Sequence, residues 1–282
     1  MTASLNPYIS SFDAEFDAEK SSQYRMTIQF ALGGLSFALL DVENNRLVAL
    51  ECYQSDLLTD SRDLFRTLER ALESKELNNK VFQSVVGLVD NRCCTFVPMT
   101  LFNEADKTKY LEFAHQISGS SVIASERLET ADCVSVFAWS KSLQDMILAK
   151  WEDARITHSS TVFVESVMRN ADEGIFVYVR NRDFDMVIKH EGKLAFFNNF
   201  RFNTKADFVY FLLFAMEQYG FSGQDTPVTF AGLIRPMSDI MDLCGRYVKD
   251  IRFVENPHEL QIGENFKEVP YQYYYIHYQA LR

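Results

Sequence analysis

His158-Ser159 is where this chain comes nearest to pairing a nucleophile with a base. A serine attacks only when an imidazole can take its proton, so the two side chains must converge. Neighbours in sequence usually point apart, and a helix cap by Ser159 or Ser160 is the better reading. His258-Glu259 has no histidine four residues on, so the zinc-protease pattern is missing. The cysteines are Cys52, Cys93, Cys94, Cys133 and Cys244. Their number is odd, they form no CxxC pair, and no histidine sits at ligand spacing. They therefore predict buried free thiols rather than disulfides or a metal site. No GxSxG elbow, Walker glycine loop or EF-hand run occurs.

Composition narrows the remaining classes. Apolar residues are 47% and charged residues 24%, so the chain can bury a sizeable core. Its 282 residues suit one large domain or two ordinary ones. The 24 phenylalanines predict packing through ring layers. The net charge of −11 repels phosphate backbones and disfavours nucleic acid as a partner. Reduced thiols fit a cytoplasmic protein. Asp13, Glu15, Asp17 and Glu19 mark an acidic leader over residues 1–22, with no signal-peptide run. The longest apolar stretch, Phe208 to Met216, is about half of a membrane span. It predicts a core helix covered on both sides, its outer face by the first lobe or by an oligomeric partner.

The elements that would position any site fall into two similar series. Met26–Leu32, Leu35–Val42 and Arg46–Tyr53 alternate between turn residues and predict a three-stranded meander. A helix opens at Asp60-Ser61, followed by a strand over Gln83–Val89. Cys94–Val97 reads as a short strand, Lys107–Ile117 as a helix, Cys133–Trp139 as a strand and Lys141–Trp151 as a helix. The order restarts after Asn170. Ile175–Val179, Phe184–Ile188 and Leu194–Phe200 form a second meander, turning at Glu191-Gly192. A helix over Lys205–Tyr219, a strand over Val228–Ala231, a helix over Met237–Tyr247 and a strand over Ile251–Val254 follow. The tyrosine-rich tail, residues 271–278, reads as an edge strand. Ile28, Phe37, Leu47 and Asp60 meet Ile175, Phe184, Leu194 and Asp207 at an offset of 147 residues, and Gly87 meets Gly232 at 145. The pattern predicts a duplicated α/β unit, each copy a mixed sheet of three antiparallel strands continued by parallel ones and flanked by helices.

That tandem unit resembles the actin-like ATPase fold, with two ribonuclease-H-like lobes, shared by actin, hexokinase-type sugar kinases, FtsA and PilM. The whole chain is similar to an uncharacterised bacterial family, a domain of unknown function. The residues that carry this likeness are Phe96-Val97-Pro98-Met99-Thr100-Leu101-Phe102, His158-Ser159-Ser160-Thr161 and Gly192-Lys193-Leu194 with Asn198-Asn199-Phe200. The resemblance implies a leader over 1–22, a first lobe over 23–160 and a second over 161–282, with a cleft between them.

The same resemblance supplies a chemical test. The fold's first phosphate loop carries an aspartate in the first strand and a glycine hairpin after it. The acid holds metal and water, and the glycine lets amides approach phosphate. Here the strand offers Gln29, which cannot hold magnesium as a carboxylate does. Gly33, Gly34 and Ser36 remain as cleft candidates. The second loop keeps neither a strand acid nor a hairpin glycine. It offers Asn181 and Asp183, while Asp183 and Asp185 read as a solvated strand face. Gly232, ahead of Ile234-Arg235-Pro236, retains one glycine of the adenosine motif. The expectation is therefore a degenerate actin-like scaffold or adaptor with no cofactor, ATP and magnesium being disfavoured. Its expected partner is a protein, no nucleic acid and no membrane span are expected, and a homo-oligomer is compatible with it. A nucleotide-binding switch and a component of a secretion or pilus machine are the alternatives.

Overall fold

The structure, a computed structural model, describes residues 5–170 and 172–282. Residues 1–4 of the expected leader lie outside the described residues. The rest of that leader is not separate from the fold. Its strand β1 (Ile9–Phe12) pairs antiparallel with a strand of the first sheet, and Asp13 bonds Arg46 at 3.1 Å.

The meander forms as alternation predicts: β2 (Tyr24–Ala31), β3 (Gly34–Asp41) and β4 (Arg46–Gln54) run antiparallel. Helix α1 (Ser61–Ser74) starts at Asp60, whose carboxylate accepts from the amides of Arg62 and Asp63. It crosses to β5 (Ser84–Asp90), parallel to β2. An excursion follows. β6 (Cys94–Pro98), α2 (Lys107–Glu112), β7 (Ser121–Leu128) and β8 (Cys133–Ser140) make a small antiparallel sheet in the order β6-β8-β7 with one short helix. Helix α3 (Lys141–Lys150) returns the chain to β9 (Arg155–His158), which extends the first sheet beside β5 and runs into α4 (Ser159–Arg169).

The second large sheet repeats the order. β10 (Gly174–Val179), β11 (Asp183–His190) and β12 (Lys193–Arg201) form its meander. The turn between β11 and β12 puts Glu191 at φ 52° and Gly192 at φ 71°, the left-handed pair a two-residue hairpin requires. Helix α5 (Lys205–Gln218) opens with a reciprocal cap between Thr204 and Asp207. Strand β13 (Val228–Gly232), helix α6 (Asp239–Cys244) and strand β14 (Ile251–Phe253) complete the order β12-β11-β10-β13-β14. The chain then goes back: β15 (Gln261–Ile262) pairs with β4, and α7 (Tyr271–Leu281) ends the molecule.

Three sequence expectations change. The tyrosine tail is the helix α7, not an edge strand. Tyr271, Tyr274, Tyr275, Tyr278 and Leu281 are all buried, and their helical spacing outweighs the strand preference of tyrosine. The two caps are not equivalent, because Asp60 caps α1 directly whereas Asp207 sits three residues inside α5. Gly87 and Gly232 are not equivalent either. Gly87 lies beside Ile28 in mid-strand, while the partner of Ile175 is Val228.

Packing explains the layers. One face of the first sheet buries Leu64, Leu68 and Leu72 of α1 with Ile147 of α3. One face of the second buries Phe208 and Leu212 of α5 with Met241 of α6. Phe208 packs tilted against Phe184 at 4.3 Å, and Phe200 stacks on Phe211 at 5.1 Å, the expected ring layers. The opposite faces of both sheets share one core with α4 and α7. The expectation that α5 is covered on both sides, by the first lobe or by an oligomeric partner, is not met within the chain itself: Tyr210 is 61% and Phe214 46% exposed, and Leu213 is only half-buried. Among the described residues, no helix is long and apolar enough to cross a membrane.

Candidate functional site

The two parallel strand pairs, β2 with β5 and β10 with β13, carry polar side chains toward their C-terminal ends, where α/β sheets commonly hold ligands. Gln29 lies in β2, Asp90 ends β5, and Arg180 follows β10. The amide of Arg180 donates to the carbonyl of Asp183 at 2.8 Å and closes the turn to β11. This folds the arginine side chain inward, over the ring of Tyr178 at 5.0 Å.

There the guanidinium meets carboxylates from both sheets. Its Nε donates to Asp90 of the first sheet. One terminal nitrogen donates to Asp183 and Asp185, each at 3.0 Å. The other donates to Asp185 at 2.7 Å and to the Ser160 hydroxyl of α4 at 3.2 Å. The carboxylates of Asp90 and Asp185 accept further bonds. Gln29 donates to Asp90 at 2.7 Å, Asn199 to Asp185 at 2.8 Å, and Ser160 to Asp185 at 2.5 Å. Gln29 also donates to the Tyr178 hydroxyl at 3.0 Å. Arg180, Asp90 and Asp185 are all buried.

The charges respond to this geometry. Burial opposes ionisation of Asp185, but Arg180 and the bonds from Asn199 and Ser160 outweigh it and hold the carboxyl below its ordinary range. Asp90 meets a single guanidinium nitrogen, so burial wins and raises it. Burial disfavours the cation too, yet the surrounding aspartates hold Arg180 well above its ordinary value. A second buried polar centre lies nearby. His277 of α7 is within 2.7 Å of the Thr27 hydroxyl and 2.8 Å of the Ser36 hydroxyl, and burial pushes its pKa down to about 3. A neutral imidazole with a hydroxyl on each nitrogen ties α7 to β2 and β3.

Of the residues singled out in the sequence, Ser36 and Asp183 join one hydrogen-bonded chain, running Ser36, Gln29, Asp90, Arg180, Asp183. Gly33 turns the first hairpin at φ 77°. Its amide donates to Leu58 and its carbonyl accepts from Ser55, so neither faces a ligand. Gly34 opens β3 opposite Gln54, and Asn181 is exposed in the second turn. Gly232 has φ 87°, and a β-carbon there would lie 2.1 Å from the Val179 carbonyl. Its glycine serves a close approach of backbone to backbone. Asp185 is not on a solvated face but 1% exposed. The α4 cap is His158, which accepts from the Ser160 amide, rather than either serine. Burial, with Arg180 adding to it, pushes the pKa of His158 to about 3. Four cysteines are buried, Cys93 is half-buried, and all are free.

Arg180 and Asp90 were missed by sequence reasoning. The available signal was an arginine directly after an apolar strand, with acids three and five residues on. The donor set does not fit a magnesium–nucleotide. A guanidinium already occupies the acids, and a phosphate would have to displace it and then face three carboxylates.

The model of a family described as "Protein of unknown function (DUF3822)" matches residues 13–251. No curated protein matches. Among solved structures, a Bacteroides thetaiotaomicron protein described as having an actin-like ATPase fold and unknown function is similar at TM-score 0.75 and 19% identity, covering 88% of this chain and 98% of that one. The PilM–PilN type IV pilus biogenesis complex is similar at TM-score 0.59 and 11% identity, covering 92% and 98%. The cytoplasmic domain of EpsL, an inner membrane component of the type II secretion system of Vibrio cholerae, is similar at TM-score 0.51 and 12% identity, covering 92% and 94%. These likenesses show an actin-like ATPase fold.

Proposed function

We propose, for a chain that belongs to the DUF3822 family of proteins of unknown function, the role of a non-catalytic actin-like scaffold or adaptor in the cytoplasm. We read it as two tandem lobes, over residues 23–160 and 161–282, with Gln261–Ile262 pairing back onto the first and α7 set between the two sheets. The observation that carries this reading is Arg180. It stands between Asp90 of one sheet and Asp183 and Asp185 of the other. Phosphoryl transfer depends on metal ions and positive groups aimed at phosphate. Here the positive group is directed at the protein's own acids, and Gln29 replaces the strand acid.

A protein partner fits this role. The likeness to PilM–PilN and to EpsL supports a second reading, that of a cytoplasmic component in an envelope assembly, by fold analogy alone. The test of the first reading is phosphate release by purified protein with magnesium and ATP. The expected rate equals that of buffer. Metal-dependent turnover that disappears in Asp90→Asn would overturn the reading and make the site an enzyme's.

A further inference from the structure

The small sheet and the second large sheet enclose a groove with a cavity of about 460 Å³, away from Arg180. Its apolar lining is Phe96 of β6, Ala131, Met168 at the end of α4, and Leu194 and Phe197 of β12. Phe96 and Phe197 touch edge to face at 4.5 Å. The volume lies in the range of small-molecule and short-segment sites.

Both walls are strands that end their sheets: among the described residues, β6 pairs only with β8, and β12 only with β11. In an antiparallel ladder, residues bonded to the neighbour alternate with residues whose amide and carbonyl point away. The bond from the Ala138 amide to the Cys93 carbonyl sets this phase for β6. The bond from the Phe202 amide to the Arg182 carbonyl sets it for β12. Counting from those pairs, the main chains of Phe96 and Phe197 point away from their sheets. A free edge with apolar side chains is the template that an added strand uses.

Charge indicates the occupant. Glu129 and Asp132 are exposed on one rim and Lys193 on the other, and among the described residues none of the three joins an ion pair. The rim is thus net acidic, on a chain whose net charge is −11. We propose that this groove binds an extended peptide segment of a partner protein, with apolar side chains alternating toward Phe96 and Phe197 and a basic residue beside Glu129 and Asp132. The inference takes from the adaptor reading only the need for a partner. ATP turnover would sink that reading and leave this one standing.

The test uses the full-length protein and a random-peptide phage library, followed by fluorescence titration of the enriched peptides. Alternating apolar sequences carrying lysine or arginine should be enriched. Glu129→Lys, an exposed change, should weaken them severalfold. Leu194→Glu should weaken them at least about tenfold, which is 1.4 kcal/mol. Methylating alternate peptide amides should abolish binding if the peptide adds as a strand. Tyr210→Ser, on the outer face of α5, should leave binding unchanged. An unproductive library would overturn the proposal. So would acidic winners, or peptides that bind Leu194→Glu as tightly as the unaltered protein.

Discussion

Arg180 is a buried cation held by acids from both large sheets. A buried cation among several acids is stable only as a set, because removing one member leaves others charged and dry. Arg180→Met should therefore cost about 3–5 kcal/mol in urea denaturation. Adding Asp185→Asn to that variant should restore part of the loss, since the strongest uncompensated carboxylate is then gone. Asp183→Asn should cost about 1 kcal/mol or less, because Asp183 is half-exposed. Strictly additive losses for Arg180 and Asp185 would mean that the two side chains do not act as a unit. Little of this set was legible in the sequence. Asp90 and Arg180 lie ninety positions apart. Only the parallel pairing of β5 beside β2, together with the β10–β11 turn, brings them together, and neither residue carries a local pattern that announces its burial.

At the scale of elements, α5 separates what composition can say from what it cannot. The run Phe208 to Met216 is apolar all round, so no stripe identifies its inner face. The fold selects Phe208, Val209, Leu212, Ala215 and Met216 for burial and leaves Tyr210 and Phe214 outside. Leu212→Asp should cost several kcal/mol by burying an unpaired carboxylate. Tyr210→Asp should change stability by about 0.5 kcal/mol or less. Chemical denaturation of the two variants checks this, and comparable losses would mean that something covers the outer face. The meanders, by contrast, were legible, because alternation and turn residues are local signals. Helix α1 was legible too, from Asp60 followed by Leu64, Leu68 and Leu72 at helical spacing. Helix α7 was misread because tyrosine suggests a strand, whereas its spacing serves a helix set between two sheets.

At the scale of the whole molecule, the strand order β4-β3-β2-β5 of one sheet recurs as β12-β11-β10-β13 in the other, and α4 and α7 lie in the core the two sheets share. The sequence periodicity pointed to this order. Its residue matches did not all survive, because the first hairpin closes Ala31 on Gly34 while the second closes Val179 on Phe184, a longer turn. That longer turn holds Arg180, so a place where the two meanders differ is where the cation enters between the sheets. There the arginine bridges Asp90 of one sheet and Asp185 of the other from within. The most direct measurement is calorimetric titration of the purified protein with magnesium–ATP. The account predicts no binding heat beyond dilution at millimolar nucleotide. Saturable binding that is lost when Gly33 or Gly232 is replaced would contradict it.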